Sequence, residues 1–131
     1  MTTDLTMLVW TALLALALPF IYLAGLMTQA PGGAAWSLGN RAEPLAGVPE
    51  WAARAQRAHL NLLQNLAPFA ILVLVAQLSG KANATTALGA TTFFWARVAH
   101  AAVYIAGIRY LRTLVFAVST VGAVLILGQL I

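Results

Sequence analysis

The chain has 131 residues, 62% of them hydrophobic and only 8% charged, with a formal net charge of +4. A soluble domain carries roughly 25% charged residues, so this chain has too little polar surface to coat a water-soluble globule. The basic residues are few and unclustered, which excludes a phosphate-binding patch and nucleic acid as a partner. The absence of cysteine excludes disulfides, thiolate catalysis and thiolate metal sites. The only two histidines, His59 and His100, have no acid near either in sequence, so no metal site is expected.

Leu5 to Met27 is the first apolar run. At 1.5 Å per residue it reaches about 34 Å, enough to cross a bilayer. It has no positive flank and no small-residue cleavage signal, and reads as a retained helix rather than a signal peptide. Pro19 lies inside it and predicts a kink. Thr28 to Glu50 is rich in glycine and proline and reads as a polar loop without regular helix. Trp51 to Ser79 is the second span, amphipathic before Pro68 and apolar after it. A turn with Lys81 leads into a third span, about Ala84 to Ile108. Arg109 to Thr113 reads as a tight basic connection, and about Leu114 to Ile131 is the fourth span. The whole chain, 1–131, reads as one all-α membrane domain, a four-helix bundle without internal repeat.

Cations set the expected orientation. Arg41, Arg54, Arg57, Arg109 and Arg112 fall on one side, whereas the other side has Lys81 and Asp4. The positive-inside bias predicts cytoplasmic arginines and both termini outside. Abundant alanine and glycine favour close helix packing or oligomerisation, and with the short N-terminus suggest a bacterial inner membrane.

Two spans carry polar stripes. Arg54, Arg57, Asn61, Gln64 and Pro68 are separated by three, four, three and four positions, and Arg97, His100 and Tyr104 by three and four. Each residue alone has an ordinary role: interfacial arginines snorkel, Asn61 and Gln64 tie helices, His100 packs, Tyr104 joins an aromatic belt. Arg97 deep in an apolar run is different. Such a charge costs about 2.5–3.5 kcal/mol or more at a helix centre and needs a partner. No carboxylate lies well inside any span, so the Asn61 and Gln64 carbonyls or a bound anion are the available partners. The same absence argues against proton-coupled transport. A cationic, acid-free cluster near one membrane face suits an anionic ligand.

The segment Arg57-Ala58-His59-Leu60-Asn61-Leu62-Leu63-Gln64-Asn65-Leu66-Ala67-Pro68-Phe69 resembles the second-helix signature of the MAPEG family, the membrane-associated proteins of eicosanoid and glutathione metabolism. Arg97-Val98-Ala99-His100, Tyr104, Arg109 and Arg112 resemble the third helix of that family and its exit. The resemblance implies a homotrimer in a lipid membrane, with glutathione as co-substrate between subunits and a lipophilic substrate arriving from the bilayer. It also implies transferase or peroxidase activity. Arg112 would stabilise the thiolate with Thr113 beside it. Arg57, Asn61, His100 and Tyr104 would line the site, with Gln64, Arg97 and Arg109 as further ligand-binding candidates. The chain departs from the pattern at Gln64, where the family usually has Glu, at Leu60, where several members have Arg, and at Phe116, near a position often held by Tyr. Those departures keep open a second reading: a non-catalytic protein of this fold that binds lipid or a small anion, or acts as a scaffold.

Overall fold

The computed structural model describes residues 1–131 and is all-helical. Helix α1 spans Thr3–Gln29, α2 Gly33–Leu38, α3 Glu50–Leu78, α4 Ala84–Ala106 and α5 Arg109–Leu127. The start signals are local. The Thr2 side chain accepts from the Leu5 amide, and Asn83 forms a capping box with Thr86 at the head of α4. Neither Pro19 nor Pro68 divides its helix.

Two expectations need correction. The loop after α1 contains a six-residue helix, α2. Its Ala34-Ala35-Trp36-Ser37-Leu38 run is competent to form a turn or two, and averaging it with the flanking glycines and prolines concealed it. Downstream, Trp36 Nε1 donates to the Glu43 carbonyl at 2.6 Å, and Arg41 donates to the Ser37 carbonyl at 2.8 Å. The second correction is at the basic connection. Arg109 to Thr113 is the opening of α5, and the α4–α5 junction is only Gly107 and Ile108. Gly107 takes φ 82°, a left-handed conformation that glycine adopts without strain, and so ends α4 abruptly.

Helix α4 is the centre of the packing, touching α1, α3 and α5, whereas α5 touches only α4 and α3. One apolar cluster joins Phe69, Val73 and Ala76 of α3 to Ala90 and Phe93 of α4 and Ile126 of α5. Within it the Phe69 and Phe93 rings stack with centroids 3.9 Å apart. A second cluster joins Ala15 and Leu18 of α1 to Leu62 and Ala101. Helices α4 and α5 meet at Gly89 and Gly122, where a Cβ on either would lie 2.6 Å from the other's carbonyl oxygen. Only glycine permits that approach.

Helices α1, α3 and α5 are each long and apolar enough to cross a membrane. Their outward faces carry large bare side chains, among them Leu16, Phe20, Ile71 and Leu114. Apolar exposure on this scale needs lipid or protein cover.

Candidate functional site

The stripes on α3 and α4 converge at the arginine end of the molecule. The first turns of α5 complete the cluster, because Arg109, Arg112, Thr113 and Phe116 share one helical face. A cavity of about 240 Å³ is lined by Asn61, His100, Tyr104, Arg112, Thr113 and Phe116. The Arg112 guanidinium lies 4.7 Å above the centre of the Tyr104 ring, a cation–π distance that fixes its position while leaving its N–H groups free. His100 is buried, with its ring edge-on to Tyr104 at 5.4 Å and 6.2 Å from Phe116.

A second cavity of about 360 Å³ adjoins the first through Tyr104 and Arg112. Its other lining includes Arg54, Arg57, Arg109 and Glu50. Arg54 is engaged within the chain: Nε donates to the Ile105 carbonyl at 2.9 Å and Nη1 pairs with Glu50 at 3.2 Å. That is the chain's one ion pair. Arg57, Arg109 and Arg112 therefore have no carboxylate partner. Three guanidiniums without counterions around joined cavities form an anion-seeking site.

Arg97 stands behind this cluster, 1% exposed. Its Nη2 donates to the Asn61 backbone carbonyl at 2.8 Å and to Asn61 Oδ1 at 3.1 Å. Its cation faces the rings of Phe93 and Phe116, each at 5.6 Å, while Nε and Nη1 have no partner. Arg97 lines neither cavity and fixes Asn61, which does. Gln64 is exposed and lines neither.

The structure thus brings Asn61, His100, Tyr104, Arg112 and Thr113 into one cavity and Arg57 and Arg109 into its neighbour, with Arg97 behind and Gln64 apart. Glu50 and the Gly107 backbone line the larger cavity without standing out as site residues in the sequence, and Phe116, noted there only as a departure from the family pattern, lines the smaller one. Arg54 was readable only as a member of the stripe. Phe116 had two signals, its place near a position the family often fills with Tyr and its spacing of three from Thr113.

A comparison with family models matches the MAPEG family over residues 7–131. The chain belongs to the MAPEG family. Searches of curated proteins and of solved structures returned no match. Membership of MAPEG, together with three apolar helices of spanning length, makes the chain an integral membrane protein. In this MAPEG chain the cation-rich cavities lie where two long helices and the head of a third meet, at the end of the apolar belt.

Proposed function

We propose that this MAPEG protein is a glutathione-dependent transferase or peroxidase acting on lipophilic substrates. The observation that carries the reading is Arg112: a guanidinium without a carboxylate partner, held over Tyr104 in a cavity that Thr113, His100 and Asn61 also line. A thiol seated there is next to a fixed positive charge, which favours the thiolate and so lowers the thiol pKa. Thr113 and Tyr104 supply hydroxyl donors for the sulfur anion. In the transferase reaction the sulfur lone pair forms a C–S bond to an electrophilic carbon. The displaced electron pair leaves with the leaving group or takes a proton. Arg57 and Arg109 in the adjoining cavity suit the two carboxylates of the tripeptide, and Glu50 there suits its ammonium.

We further infer a four-span topology. Helix α4 has 23 residues, about 34 Å at 1.5 Å per residue. Its polar side chains face α1, α3 and α5 rather than lipid, so the helix tolerates more polarity than an isolated span. The arginine end is cytoplasmic by the positive-inside bias, and both termini lie outside. Exposed Gln64 and Arg57 on α3 support a subunit interface along that face, consistent with a homotrimer.

The test is calorimetric titration of the detergent-purified protein with glutathione, with Arg112→Ala as control. Saturable binding that the variant loses, with thiolate ultraviolet absorbance appearing only for the wild type, is expected. Absence of binding at millimolar glutathione would sink the enzyme reading. One observation favours a second reading, a non-catalytic binder of a lipid or small anion. Gln64 lies outside both cavities, and the smaller one, which Arg112 shares with Thr113 and His100, has no acid in its own lining to hold an ammonium. Lipid or another anion that co-purifies and is displaced by neither glutathione nor an electrophile would support it.

A further inference from the structure

The opposite end of the molecule holds a third cavity, about 250 Å³, lined by Thr2, Thr3, Asp4, Ala82, Asn83, Ala84 and Ala87. It lies where α1 and α4 both begin, beside the start of the apolar run at Leu5. Asp4 is the one acid in its wall, and it is only 3% exposed. Its Oδ2 is buried with no hydrogen-bond partner. Nothing nearby supplies the missing cation. Lys81 Nζ gives one of its three N–H groups to the Leu130 carbonyl at 2.8 Å and forms no ion pair with Asp4, and no ion pair involves the N-terminal amine. The Asn83 amide is also committed, to the Lys81 and Gln129 oxygens. A carboxylate withdrawn from water without a partner is costly unless something charge-complementary meets it.

We propose that this cavity binds the primary ammonium of an ethanolamine phospholipid headgroup. The position selects a lipid, because the cavity opens at the rim of the apolar surface, where headgroups lie. The charges select a zwitterion: the Asp4 carboxylate for the ammonium, and exposed Lys81, adjacent to lining residue Ala82, for the phosphate. The hydroxyl of Thr3 adds an acceptor for one ammonium N–H. A choline headgroup has no N–H to give and is bulkier. This site shares no residue with the arginine cavities and is independent of the proposed enzymatic role.

The experiment is native mass spectrometry of the full detergent-purified protein, titrated with ethanolamine and choline phospholipids of identical acyl chains. One charge-assisted hydrogen bond corresponds to about a tenfold or greater preference for the ethanolamine lipid. Asp4→Asn, which keeps the side-chain shape, is expected to abolish that preference. Ala84→Leu, which fills the cavity without touching the carboxylate, is expected to do the same. Equal retention of the two lipids by the wild type, or an unchanged preference in both variants, overturns the proposal. So does an Asp4→Asn variant that unfolds more readily in choline and ethanolamine lipids alike while keeping its preference, since Asp4 would then serve only the heads of α1 and α4. Thermal protection by free ethanolammonium chloride matching that of the lipid would overturn the lipid as the source of the ammonium.

Discussion

At Arg97 a permanently charged guanidinium meets one residue, Asn61, through two oxygens. The need for a partner was legible in the sequence, because no acid lies deep in a span. The choice between Asn61 and Gln64 was not, since both stand on one α3 stripe and only the rotation of α3 against α4 decides which faces inward. The backbone oxygen of Asn61 is invisible to any reading of side chains, yet it accepts from Arg97 and from Asn65 Nδ2. Asn61→Ala removes one acceptor from a buried cation, a loss of about 1–3 kcal/mol. It is expected to lower the thermal unfolding midpoint in detergent. Asn61→Asp supplies a carboxylate at the same place and is expected not to lower it. A midpoint unaffected by the alanine would mean that the Asn61 backbone carbonyl and the two phenylalanine rings suffice to hold Arg97.

Between elements, the α4–α5 junction matters most. Charge made Arg109 to Thr113 look like a loop, but the chain reverses in two residues, so Arg109, Arg112 and Thr113 inherit fixed helical directions. The long apolar helices were legible because apolar runs of this length have few alternatives, whereas the six residues of α2 were too short to stand out. Gly107→Ala would force a Cβ into a left-handed residue, 3.3 Å from the Arg54 guanidinium carbon. The strain of about 1–2 kcal/mol falls on the turn that aims Arg112. Weaker glutathione binding with near-normal helicity by circular dichroism is expected. Gly122→Val should instead push α4 and α5 apart, at about 1–3 kcal/mol for overpacking, and lower thermal stability without a selective effect on ligand. If Gly122→Val were as stable as the wild type, the close approach of Gly89 and Gly122 would not be tight in the membrane.

Over the whole molecule, polarity is sorted by depth and by end. Four arginines gather around the joined cavities at one end, and Asp4 and Lys81 stand at the other. The apolar belt between them is bare on α1, α3 and α5, and α4, the one long helix without an apolar stretch of spanning length, packs against all three. That packing bears on how the chain is made. A nascent α4 leaving the ribosome has neither a strongly apolar face to draw it sideways into lipid nor, yet, the α5 that will cover it. On the four-span topology proposed above, the two-residue reversal at Gly107 and Ile108 allows α4 and α5 to enter the bilayer together as a hairpin, with Arg97 shielded on arrival. A chain ending after Ile108 should therefore leave α4 in the insertion channel or return it to the aqueous side. A glycosylation tag placed in the Lys81 turn and a second one beyond residue 108 would report it, and stable integration of α4 without α5 would show that this helix needs no companion to cross.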